Sequence, residues 1–276
     1  MTPRQANTAA AGHEGEDAPV LVRRVGAVAY LTLNRPEAAN SIDAPLARAF
    51  LEAVRLLDDD ASVRVLVLEG AGRMFCAGGD LTSFAREGDG AALYVEGLIA
   101  DLHAGLERLG AFHAPVIAAV HGAAAGAGLG LAMAADIVIA DESSRFVMAY
   151  TRAGLTPDGG TSWLLPRLVG LRRALELTLL NRALDAAEAR DLGLVTEVAP
   201  AAELAARVDA LAAELAAGPT AAYVAARRLI RDSLGADYSR QLHDEAHAIV
   251  QSFSRQDGLE GVRAFSERRA PSFQGR

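Results

Sequence analysis

Two stretches of this 276-residue chain run from a short apolar, largely β-branched segment straight into a cluster of glycines. Residues 63–68 lead to Gly70, Gly72, Gly78 and Gly79, and residues 116–120 lead to Gly122, Gly126, Gly128 and Gly130. An apolar run of five or six residues bounded by breakers reads as a buried strand. Glycine then allows tight turns and lets a ligand come close to backbone N–H groups. On the residues alone, tight turns with close packing explain these glycines better than a binding site does. Either way, the chain is limited to folds in which strand ends carry glycine loops.

The remaining pattern fills in an α/β protein. Residues 25–33 alternate like a half-buried strand and are broken by Asn34, Arg35 and Pro36. A helix is expected from about Pro45, capped by Asp43, with Leu46, Phe50, Val54 and Leu57 on one face and an end at Asp58 to Asp60. A helix over 91–109 and a further strand over 137–140 follow. From Thr161 onward only helices are expected, over 161–169, 172–180, 186–191, 201–217, 220–233, 238–253 and 259–268. Strands alternating with helices, then helices alone, predict an α/β core over 19–200 and a helical C-terminal region over 201–276. Residues 1–18, rich in Ala, Gly and Glu, read as a disordered tail without the order of a secretory signal.

Charge and composition exclude several classes. A net charge of −8 argues against a nucleic-acid partner, because affinity for phosphate backbones comes largely from Lys and Arg. Cys76 is the single cysteine, which rules out an internal disulfide framework and, with no Cys/His cluster at zinc spacing, a structural zinc site; a reducing, cytoplasmic location fits. Residues 114–140 are long and nearly uncharged, with Gly122, Gly126 and Gly130 spaced like a small-residue membrane-helix interface. His121 and Asp136 interrupt them and the glycines suit a turn, so no membrane span is expected. A dinucleotide fingerprint fails in register: Gly126 and Gly128 supply the first two glycines, but Leu131 stands at the third.

Four segments in order carry a more specific signal. They are NRPEAANSID (34–43), FCAGGDL (75–81), the stretch 115–170 containing VHGAAAGAGLGLAMAADIVIA and TPDGG, and LDAAEARDLGLVTEV (184–198). This ordered set resembles the crotonase (enoyl-CoA hydratase/isomerase) superfamily over about residues 20–272. The resemblance implies a ββα superhelical core with a helical trimerisation region, and an acyl-CoA thioester as substrate. It implies a homotrimer or hexamer and no cofactor beyond the coenzyme A carried by the substrate. It places the oxyanion hole at the backbone N–H groups of Gly79 and Ala127, and further substrate contacts at Ala38, Ala77, Asp80, Leu81 and Tyr150. Such donors suit enolate chemistry, since prepositioned N–H groups stabilise an oxyanion as its charge develops.

The two glutamates of family hydratases fall here on Gly130 and Tyr150, neither of which can serve as a carboxylate acid or base. A third family position, occupied by an acid in several isomerases, falls on Asp158. Read locally, Pro157-Asp158-Gly159 is a turn signal and Asp158 a cap for the following helix. The resemblance instead makes Asp158 the proton-moving residue. The forms AAGAG, RFVMA, WLLPR, EGVRAF and RAPSFQG resemble the acyl-CoA ring-epoxide isomerases of phenylacetate degradation. A dehalogenase branch uses an aspartate at the place of Asp158 together with a histidine matching His103, but has tryptophan where Tyr150 stands. His103 is therefore expected as an ordinary polar residue on a helix face, and Trp163 as packing. His13, His113, His121, His243 and His247 suggest no triad. A hydratase, or a CoA-ester binding relative without turnover, remains as an alternative to the isomerase.

Overall fold

The computed structural model describes residues 17–276, so most of the tail expected over 1–18, with His13, lies outside the described residues. The described chain opens with a hairpin: β1 (Val20–Val25) turns at Gly26, whose φ of 58° favours glycine, into the antiparallel β2 (Val28–Leu33). The Asp43 carboxylate accepts from the Leu46 amide and starts α1 (Ala44–Asp58), with Pro45 in the first turn where no donor is lost. Next come β3 (Val65–Gly70), α2 (Leu81–Arg86), α3 (Ala91–Gly110), β4 (Val116–Val120) and β5 (Ala123–Ala125). After α4 (Ala127–Ala134), β6 (Ile137–Asp141) and β7 (Arg145–Val147), the chain forms α5 (Thr161–Val169) and α6 (Leu171–Leu180). The last elements are β8 (Leu184–Asp185), α7 (Ala186–Asp191), β9 (Glu197–Ala199), α8 (Leu204–Ala217), α9 (Thr220–Asp232), α10 (Tyr238–Phe253) and α11 (Gln256–Glu267).

The large sheet runs β1-β2-β3-β4-β6-β9 and is parallel from β2 onward; a small sheet runs β5-β7-β8. Single bridges, Ile42 to Gly79 and Cys76 to Ala124, carry the small layer's pairing back to the first glycine loop. The chain thus visits the large sheet, the small layer and then a helix, which is the ββα superhelix. Strands covered on both faces need apolar residues on both, and Val65 to Leu68 are all buried. Leu66 and Leu68 pack with α1 and α3, whereas Val65 and Val67 pack with Leu204, Val208 and Ala212 of α8. Beyond α8, Arg227 and Arg231 of α9 each reach the Asp136 carboxylate at 2.9 Å and tie the last helices to the core.

Several expectations need correction. The strand expected over 25–33 is β2 alone, starting at Val28; Val25 ends β1, which was not expected, and the glycine turn at Gly26 reverses the chain between them. The expectation of helices alone after Thr161 fails at β8 and β9, which are two and three residues long. The core also continues past residue 200, since α8 covers one face of the large sheet. In agreement with expectation, residues 114–140 divide into β4, β5, α4 and β6, and among the described residues no helix is long and apolar enough to cross a membrane. Trp163 is not packing: it is 46% exposed, with the Arg167 guanidinium 4.0 Å from its ring centre.

Candidate active site

The first glycine loop is held by polar side chains. Asn40, with a left-handed φ of 54° and no exposed surface, donates to the carbonyls of Ala71 (2.8 Å), Met74 (2.7 Å) and Phe75 (3.2 Å). Its Oδ1 accepts from the Arg35 amide at 2.8 Å. The Arg35 guanidinium then reaches Asp43 at 3.0 Å and Asp80 at 3.2 Å. Asp80 accepts from the amides of Thr82 and Ser83, both at 3.1 Å, and so caps α2. Burial alone would raise the Asp80 carboxyl, but the hydrogen bonds from Ser83 and Arg35 outweigh it and hold its pKa below the ordinary value. Its carboxylate is therefore committed to α2 and Arg35, and any contact it makes with a substrate is left to its backbone. The Ala77 amide donates to Ala39 at 3.0 Å, which sets Ala77 beside the short turn ending at Ala38. Ala77 and Leu81 are exposed, so the loop's outer edge is open.

The second loop is held by shape. Gly126 has a φ of 52°, and Ala127 begins α4. A methyl group on Gly128 would come within 2.4 Å of the Cys76 carbonyl oxygen, and one on Gly78 within 2.7 Å of the Ala125 carbonyl oxygen. The loops interlock at distances only glycine allows. Cys76 between them is buried, which pushes its thiol up to about 12, and it donates to the Asn40 carbonyl. Among the described residues, neither the Gly79 nor the Ala127 amide donates to a protein acceptor. The residues just before them, Gly78 and Gly126, are in contact.

The Asp158 turn lies against the second loop. Positions that a side chain on Gly159 would occupy are 3.6 Å from the Ala127 Cα, and on Gly126 are 3.7 Å from the Tyr150 ring. The Tyr150 hydroxyl donates to Asp158 Oδ1 at 2.6 Å, and no protein partner among the described residues meets Oδ2. Burial, and then the adjacent Asp158 carboxylate, raises the Tyr150 pKa, so the phenol stays protonated as a donor. Asp158 does not cap the next helix with its side chain. The cap position is Gly160, and Asp158 contributes its carbonyl, which accepts from the Thr161 amide and hydroxyl. A side chain at Gly130 would lie 2.5 Å from the Gly159 carbonyl oxygen, so this turn fills the space beside Gly130.

Asp158, Tyr150 and Ala127 thus come together, and the first loop touches the second. His103, expected as an ordinary polar residue on a helix face, accepts from the Gly159 amide at 3.1 Å and joins them. His113 binds Asp58 and the Val63 carbonyl, His121 the Gly72 carbonyl, and His243 and His247 are exposed on α10; none contacts this turn. Among the described residues no His, Cys, Asp and Glu cluster suits a metal ion. Sequence reasoning missed Asn40 and His103 as supports. For Asn40, a polar residue between Pro36 and the helix at Ala44 was the available signal; for His103 there was none beyond the residue type.

The model of the enoyl-CoA hydratase/isomerase family matches residues 23–276. The chain belongs to that family. Within the enoyl-CoA hydratase/isomerase family, it is 39% identical to the 1,2-epoxyphenylacetyl-CoA isomerase of Escherichia coli over 253 residues, 90% of this chain and 95% of the relative. It is 40% identical over 250 residues to a "Probable enoyl-CoA hydratase" of Rhodobacter capsulatus, again 90% and 95%. The crystal structure of an enoyl-CoA hydratase from Polaromonas sp. JS666 superposes with a TM-score of 0.88 at 34% identity, over 92% of this chain and 99% of that one. Relatives with different names stand at nearly equal identity, so the choice of reaction falls to the chemistry of the site. Two free backbone donors and one carboxylate with an open oxygen suit proton transfer beside a carbonyl.

Proposed function

We propose that this family member is an acyl-CoA isomerase in which Asp158 moves a proton while the Gly79 and Ala127 amides hold the thioester oxygen. The observation that carries this is the Asp158 carboxylate, oriented by the Tyr150 hydroxyl beside the Ala127 loop with Oδ2 open. On a 3-enoyl-CoA, Oδ2 takes a proton from C2 and the electron pair moves onto the thioester oxygen. The two amides stabilise that oxygen, each worth about 100- to 1,000-fold in rate. The dienolate then takes the proton back at C4 and leaves a 2-enoyl-CoA, with no atom gained or lost. Coenzyme A enters only as part of the substrate, and no separate cofactor is required. Ala38, Ala77 and Leu81 lie along the open edge that the thioester's coenzyme A would follow.

Hydration would need acid–base carboxylates at Gly130 and Tyr150, and Gly130 has no room for a side chain of any kind. The hydratase reading is favoured by the names of relatives, among them those of Rhodobacter capsulatus and Polaromonas. Asp158→Asn tests the assignment, because asparagine keeps the shape and the Tyr150 contact but cannot take a proton. Double-bond shift should fall by about 100- to 10,000-fold with acyl-CoA affinity and melting temperature little changed. Normal turnover in the variant would remove Asp158 from the mechanism.

A homotrimer or hexamer accompanies this proposal. Leu171, Leu179, Leu180, Val250 and Phe265 on α6, α10 and α11 are each more than half exposed, an apolar surface of the kind that marks an interface. Light scattering should give a multiple of three chains; a clean monomer would contradict it.

A further inference from the structure

His103 on α3 and Asp158 in the turn after β7 are far apart in sequence, yet one hydrogen bond joins their surroundings. The Gly159 amide donates to His103 Nε2 at 3.1 Å. A ring nitrogen that accepts carries no proton, so His103 here is the neutral imidazole with its hydrogen on Nδ1. We infer that His103 is a positioning residue for Asp158, acting through the Gly159 amide, and not a proton carrier. This role rests on Asp158 being the base.

The turn around Asp158 is held at separate points. Tyr150 holds the carboxylate, Thr161 holds the Asp158 carbonyl through its amide and hydroxyl, and His103 holds the next amide along. Gly159 is buried, so without His103 its N–H would lack both a protein acceptor and free access to water, and the turn would shift to find one. Gly159 also packs on Ala127, with a φ of 57° that seats it there. A shift of this turn therefore moves the base relative to an oxyanion amide. That geometry matters once substrate is bound, which puts the loss in kcat. The same bond occupies the Nε2 lone pair, the atom with which His103 would otherwise accept a proton.

The test compares His103→Leu, which removes the acceptor, with His103→Gln, whose side-chain oxygen can accept from the same amide. Double-bond shift of a 3-enoyl-CoA is followed for kcat and KM, with Asp158→Asn in parallel. His103→Leu should lower kcat about tenfold or more with KM little changed, and His103→Gln should stay within about threefold of wild type, since an ångström of misplacement costs about 100-fold. Equal losses in the Leu and Gln variants would overturn the positioning role, as would unchanged kcat in His103→Leu. Turnover that survives in Asp158→Asn would instead overturn the base assignment on which the role rests. Nitrogen-15 spectra of wild-type imidazoles do not depend on whether a variant folds. They should show His103 protonated on Nδ1 with Nε2 accepting; a proton on Nε2 would contradict the inference.

Discussion

At residues 71–81 side chains carry the loop: Asn40 bonds three carbonyls, Arg35 bridges two aspartates, and Asp80 caps the adjoining helix α2. At residues 126–130, among the described residues, no side chain hydrogen-bonds the backbone; position comes from glycines seated against the Cys76 and Gly159 carbonyl oxygens. Each loop carries an amide without a protein acceptor among the described residues, at Gly79 and at Ala127. The difference shows two ways to hold a backbone donor steady. A polar clamp fails when a partner is removed and leaves buried carbonyls unpaired. A close-packed seat fails when a single carbon is added.

The largest effect expected from this contrast is at Gly128. Its alanine variant would press a methyl group onto a backbone oxygen 2.4 Å away, and neither atom is the end of a flexible side chain. Overpacking of this kind costs about 1–3 kcal/mol, and an ångström of displacement at Ala127, the proposed oxyanion donor, costs about 100-fold in turnover. Assays of Gly128→Ala should show both losses; normal turnover would mean that shape does not hold the second loop. A smaller effect on turnover, though not on stability, is expected at Asn40. Asn40→Ala leaves three carbonyls without their shared donor, at about 1–3 kcal/mol per unsatisfied group before water enters. Denaturant midpoints should fall while turnover drops less than in Gly128→Ala. An Asn40 variant as active and as stable as wild type would erase the distinction between the loops.

The two loops also differ in how much of them could be read from sequence. The strands feeding both were visible as β-branched runs, and helices over Thr161–Val169, Ala186–Asp191 and Tyr238–Phe253 match their expected bounds; of these, the 16-residue Tyr238–Phe253 is long enough for its periodicity to register. β5, β7, β8 and β9 were invisible, since two or three residues cannot display an alternation and Ala123 to Ala125 carry no strand preference. Strand β1 was lost because Val25 reads as continuous with Ala27 and Val28, although Gly26 reverses the chain. In the site, the roles of Gly79, Ala127, Tyr150 and Asp158 came from family motifs, not from local pattern. The supports did not emerge: the carbonyls that Asn40 bonds lie 31 to 35 residues away, and the amide that His103 accepts from lies 56 away. Tertiary contacts of that span leave no periodic trace.

The most direct test of the central claim gives the wild-type enzyme a 3-enoyl-CoA and, separately, a 2-enoyl-CoA, and tracks each product by mass and absorbance. A site with one working carboxylate at Asp158, and with Gly130 too crowded for another, should shift the double bond of the first at unchanged mass. The second should gain water slowly or not at all. Addition of one water to the 2-enoyl-CoA at a rate above that of the double-bond shift would contradict the account.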